Sequence, residues 1–89
     1  MPSNVIGSYN LFVAITKSDT VNIVVPFPKK PAVTDAIYVG ASGDIAAVME
    51  NGTAVTLASA IAGTIIPIAV KRVNSTLTTA DNLVALYSV

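Results

Sequence analysis

The chain has 89 residues, 53% hydrophobic and 11% charged, and its five Lys/Arg balance five Asp/Glu for a formal net charge of zero. That length allows one domain with a modest core, so part of the apolar material must meet a partner: other copies, a larger assembly or a membrane. A neutral chain has no basic surface to displace counterions from phosphates, and one without Cys or His has no disulfide and no thiolate or imidazole ligand, which argues against nucleic-acid and metal binding.

Residues 1–35 are expected to form an N-terminal arm, first strands and a Pro-rich loop, and residues 36–89 a β-meander core, all within one domain. Met1-Pro2-Ser3-Asn4 lacks the basic start of a secretory signal. Tyr9, Leu11, Phe12, Val13 and Ile15 suggest a first strand or an arm laid on a neighbouring subunit. Val21 to Val25 is rich in β-branched residues and short, which predicts a strand. Pro26, Pro28 and Pro31 then remove three backbone donors within six residues, so this stretch is an extended loop.

Ala36–Val39 predicts a strand ending at Gly40, Ser42-Gly43 a turn, and Asp44–Met49 the next strand. Asn51-Gly52 between β-forming residues is a type I′ hairpin signal, with Thr53–Ala58 returning. Gly63 opens a strand containing Pro67, which a proline confines to an edge or bulge, and Val70–Val73 continues it. Asn74–Asn82 is a Thr-rich connection, and Leu83–Tyr87 a C-terminal strand. Ala54–Ala62 could instead make two helical turns, but Thr56, Ser59 and Gly63 punctuate it and no amphipathic stripe runs beyond it. The fold class is therefore all-β: a small β-sandwich or barrel of six to seven short strands.

The stretch from Asn51 to Val70 carries no charge and has the length of a membrane span. Its Asn-Gly pair, its threonines, Gly63 and Pro67 leave it weakly hydrophobic and interrupted, so consecutive strands are the better reading and no membrane partner is expected.

No catalytic constellation is visible. Asp19, Asp35, Asp44, Glu50 and Asp81 are scattered, each in or beside a turn where a carboxylate commonly bonds nearby backbone. Without histidine, Ser42 has no base, and Gly40-Ala41-Ser42-Gly43 lacks the lysine of a phosphate-binding loop. Neither an enzyme activity nor a cofactor is expected. A glycan-binding surface would need an aromatic platform, and only Tyr38 or Tyr87 could supply one.

One block is more distinctive than its parts: Ala36-Ile37-Tyr38-Val39-Gly40-Ala41-Ser42-Gly43-Asp44-Ile45, then Glu50-Asn51-Gly52-Thr53, Ala62 to Ile68, Val70-Lys71-Arg72-Val73, Thr78-Thr79-Ala80 and Leu83 to Tyr87. In order and spacing it resembles small virion proteins of tailed phages and of phage-derived gene transfer agents, of the head-spike base or capsid decoration type. The resemblance implies a homo-oligomer (trimer, pentamer or hexamer) docked on the major capsid protein or another virion protein. It implies location in the virion, after assembly in the host cytoplasm. Oligomer or capsid contacts are expected on the arm, at Tyr9, Leu11 and Phe12, and on Ile65, Ile66, Pro67 and Ile68. The alternatives are a tail or fibre-associated adaptor or glycan-binding module, and a small membrane protein.

Overall fold

The computed structural model describes residues 9–88, and among them there are seven strands and no helix. The strands are β1 (Leu11–Ala14), β2 (Ala36–Tyr38), β3 (Gly43–Val48), β4 (Ala54–Ala60), β5 (Ile65–Ile66), β6 (Arg72–Val73) and β7 (Val84–Tyr87). They form two antiparallel sheets, β1-β7-β2-β5 and β4-β3-β6, so the expected all-β fold of six to seven short strands is what forms.

The two sheets share one core. Ile37 and Val39 come from the β2 region, Ile45 and Ala47 from β3, and Val73 from β6. Val70, Ala80 and Leu83 fill in from the connections. Each is essentially inaccessible to solvent, and burying a branched aliphatic side chain of this kind contributes about 1.5–3 kcal/mol. Tyr87 is also buried, with its ring edge-on to Phe27 at 5.4 Å between centroids. Burial, and secondarily the Asp35 charge, raise its hydroxyl above the ordinary tyrosine pKa of 10.0.

Several local expectations are corrected. The connectivity is not a meander, because only β3 and β4 are both consecutive and paired; after β4 the chain crosses to the other sheet. Val21–Val25 is not a strand. The chain from Ser18 to Ile23 passes beside β6, where the Ser18 N–H donates to the Val73 carbonyl and the Ile23 N–H to the Lys71 carbonyl. Pro67 lies just past β5, which does sit at a sheet edge, and β6 does not continue β5 but belongs to the opposite sheet.

The hairpin at Asn51-Gly52 forms, with a different turn. The Gly52 N–H donates to the Met49 carbonyl and the Met49 N–H to the Thr53 carbonyl, while Gly52 alone in the loop takes a positive φ of 92°. A type I′ turn needs positive φ at both central residues; this is the longer loop that closes on a glycine bulge. The Ala54–Ala62 stretch makes β4 rather than a helix.

The segment from Gly40 to Asp44 ties distant parts together. A Cβ on Gly40 would lie 2.5 Å from the Asn82 carbonyl oxygen, and one on Gly43 would lie 2.4 Å from the Ala80 nitrogen. Only glycines let the 79–82 chain approach this closely. That approach permits the bridge in which the Ala41 N–H donates to the Asp81 carbonyl and the Asp81 N–H to the Ala41 carbonyl. The Ser42 hydroxyl accepts the Ala62 N–H, and the Asp44 carboxylate accepts the Ser59 N–H at 2.9 Å. Ser59 has a φ of 59° and marks a bulge in β4, where the register against β3 shifts; Asp44 satisfies the donor that the bulge would otherwise strand.

Candidate assembly surface

Strand alternation sorts the expected contact residues by face. In the four-stranded sheet, Phe12 is opposite Leu86, and Tyr38 is opposite both Val84 and Ile65. These five side chains share the outer face and line an open groove of about 390 Å³. Phe12, Tyr38 and Ile65 stand 65%, 37% and 39% exposed at its rim, whereas Leu86 is sunk to 2%. Leu11, paired with Tyr87, and Ile66, paired with Ile37, point the other way into the sandwich.

The expected set therefore divides. Phe12 and Ile65 are brought together on one accessible face, with Tyr38, named from the sequence only as a possible aromatic platform, on β2 between them. Ile66 and Ile68 pack half-buried against the core cluster. Pro67 is exposed beyond β5, and Tyr9 is half-buried ahead of β1. Leu11 and Phe12 belong to a strand paired with β7 rather than to a free arm. The remainder of the expected arm, residues 1–8, lies outside the described residues.

Several charged side chains do structural tasks. Lys17 donates to Asp81 at 2.8 Å and to the Ala80 carbonyl at 3.1 Å, which fastens the end of the first strand region to the 79–82 chain. Asp35 sits 3.4 Å from the Lys29 ammonium, and its other oxygen accepts the Ser88 N–H at 2.8 Å. Asp19 accepts the N–H and the hydroxyl of Thr76. Among the described residues no three of His, Cys, Asp and Glu come together in a way that could hold a metal ion, and no helix is long and apolar enough to cross a membrane. Tyr87, being buried, offers no platform for a sugar; Tyr38 is the accessible one.

No family model matches the chain, and no curated protein matches it. Among solved structures, a chain of the capsid of the native GTA (gene transfer agent) particle, computed with C5 symmetry, matches with a TM-score of 0.72 and 28% identity. The match covers 88% of this chain and 82% of that one. The chain resembles a capsid component. The likeness to virion proteins of phages and gene transfer agents, read from the block between Ala36 and Tyr87, is borne out and extends beyond that block. The virion location expected with it agrees.

Proposed function

We propose that this chain is a structural protein of a phage or gene-transfer-agent virion, without catalytic function, that docks on the capsid as a decoration protein or head-spike base. The observation that carries this reading is the likeness to a capsid chain over nearly the full length of both molecules. The outer face of the four-stranded sheet supports it. Phe12, Tyr38 and Ile65 offer a wet apolar rim around a floor of half-buried Val84 and buried Leu86, the composition of a contact centre rather than of a free surface. In this reading the face meets another virion chain, and repetition over many lattice sites strengthens a contact that is modest for one copy.

The test is co-sedimentation of the purified protein with capsids that lack it. Wild type is expected to pellet with the shells. The double variant Phe12→Ser, Ile65→Ser keeps its fold, because both side chains are exposed, and binds roughly tenfold or more weakly through loss of buried apolar area. A wild-type protein that stays in the supernatant would sink the proposal; a double variant that pellets normally would move the contact to another face.

A further inference from the structure

The hairpin tip between β3 and β4 brings together the parts of a reaction that the virion reading leaves unused. Of the six asparagines only Asn51 precedes a glycine; the others are followed by Val5, Leu11, Ile23, Ser75 and Leu83. An asparagine amide is open to attack by the backbone nitrogen of the next residue, and a Cβ on that residue crowds the approach. Gly52 has no Cβ, and the space where one would stand holds no atom within 4 Å. Both residues are exposed.

The fold adds what the dipeptide alone lacks. The Asn51 side-chain oxygen accepts the Thr53 N–H at 3.0 Å. Negative charge builds on that oxygen when the amide carbon is attacked, so the donor sits where an oxyanion needs one. Thr53 is itself held, because its carbonyl accepts the Met49 N–H at 2.8 Å across the hairpin. The leaving nitrogen, Asn51 Nδ2, makes no hydrogen bond among the described residues. The Gly52 N–H donates to the Met49 carbonyl at 3.0 Å and must leave it first, which breaks one bond at an exposed tip.

We propose that Asn51-Gly52 is a self-modification site at which the folded chain turns its hairpin tip from neutral to anionic. The Gly52 N–H gives its proton to hydroxide, and the nitrogen bonds to Asn51 Cγ while the carbonyl π pair moves onto Oδ1. The pair returns, the Cγ–Nδ2 bond breaks, and ammonia leaves with a proton taken from water; a cyclic imide remains. Water then opens the ring. Addition at Cγ restores the ordinary backbone and makes an aspartate, whereas addition at the Asn51 main-chain carbon makes an isoaspartate, with the backbone running through the side chain. In sum one water is consumed, one ammonia is released, and nothing is oxidised or reduced.

The Thr53 N–H on Oδ1 polarises Cγ in the ring opening as it does in the attack, so this fold favours aspartate. Aspartate keeps the Thr53 N–H in a charge-assisted bond, while isoaspartate lengthens the loop that the Met49–Thr53 bond closes. Either product places one negative charge next to Glu50, on a chain whose formal net charge is otherwise zero. Copies that carry it repel one another. This inference goes beyond the virion reading and does not depend on it.

The test incubates the full chain, folded and in denaturant, in mildly alkaline buffer made with heavy-oxygen water. Peptide mass mapping, with fragmentation that separates aspartate from isoaspartate, follows each asparagine. In the folded chain Asn51 is expected to react first and to take up the heavy oxygen. Its ratio of aspartate to isoaspartate should exceed that of the denatured chain by roughly threefold to tenfold, the worth of one hydrogen bond. Thr53→Pro deletes the donor and should bring the ratio down to the denatured value. Asn51→Ser, which keeps an acceptor for the Thr53 N–H, should leave the tip unmodified. Should the proline variant fail to fold, the wild-type comparison of folded with denatured chain still decides. An Asn51 that stays intact in the folded chain, another asparagine that reacts ahead of it, or equal product ratios in the two states would overturn the proposal. Capsid binding is read separately by sedimentation, so either proposal can fail alone.

Discussion

The two strands of the β3–β4 hairpin are built from nearly the same chemistry and have opposite surroundings. Gly-Asp-Ile-Ala-Ala-Val in β3 is buried from Ile45 onward, whereas Ala-Val-Thr-Leu-Ala-Ser-Ala in β4 is exposed along most of its length. Composition does not separate them; sheet order does. β3 lies between β4 and β6, with Ile45 and Ala47 facing the four-stranded sheet across the core. Its other side is served by the returning chain: the Thr79 and Ala80 N–H groups donate to the Asp44 carbonyl, and the buried Thr78 hydroxyl accepts the Ala46 N–H. Among the described residues β4 has one strand neighbour and no such cover. The lesson is that a half-apolar strand acquires its role from what lies beside it.

The largest expected effect tests that contrast on a single rung. Ile45 and Leu57 are register partners. Ile45→Ala removes a side chain with no exposure, so it should cost about 2–5 kcal/mol in urea unfolding at unchanged slope. Leu57→Ala, at a half-buried edge position, should cost roughly half of that or less, since part of its surface is already wet. Equal costs would mean that β4 is covered in the protein as it exists in solution.

A second comparison sharpens how β3 obtains its cover. Gly43→Ala drives a Cβ into the Ala80 backbone, and the 79–82 chain must move for it to fit. The expected loss is about 2–3 kcal/mol, near the upper end of ordinary single substitutions. Gly52→Ala meets no atom within 4 Å and carries only the strain of its positive φ, about 1–2 kcal/mol. Thermal unfolding of the two variants side by side should rank them in that order. The reverse order would place the constraint in the hairpin turn rather than in the crossing of the 79–82 chain.

What the sequence made legible was local. Runs such as Ile37-Tyr38 and Ile45 to Val48 announced strands, and Asn51-Gly52 announced a reversal. The pairing between distant segments was not legible, because nothing within ten residues of Ile66 says that its partner is Ile37, or that β7 lies between β1 and β2. Val21–Val25 has the composition of a strand but joins the β6 region through the Ile23 N–H alone, a tertiary outcome that propensity cannot anticipate. The candidate surface was legible in pieces. Phe12 and Ile65 were each singled out, but that they share a face with Tyr38 while Ile66 turns inward requires the register. Alternation within Ile65-Ile66-Pro67-Ile68 shows that neighbours must differ, not which of them faces out.

The smallest expected effect concerns the hold on the cover itself. Asp19 fixes the returning chain by accepting the Thr76 N–H at 2.9 Å and the Thr76 hydroxyl at 2.6 Å. The adjacent Leu77 is exposed and takes a positive φ of 70°, a conformation that a leucine adopts at some cost. The Thr76 hydroxyl first, and then its N–H, keep the Asp19 carboxyl below its ordinary value of 3.8. A carboxyl that is more acidic in the folded chain than in the unfolded one stabilises the fold above the unfolded value, and that contribution disappears as pH falls through the folded value. Thermal midpoints of wild type should therefore decline as pH falls below about 4, and Asp19→Asn, which does not ionise, should decline less steeply over the same range. At neutral pH the substitution should shift the midpoint only slightly, because the carboxylate is exposed and solvent competes for both bonds. Parallel declines would show that Thr76 is held by the packing of Thr78 and Ala80 beneath it, and that the cover over β3 needs no anchor at its rim.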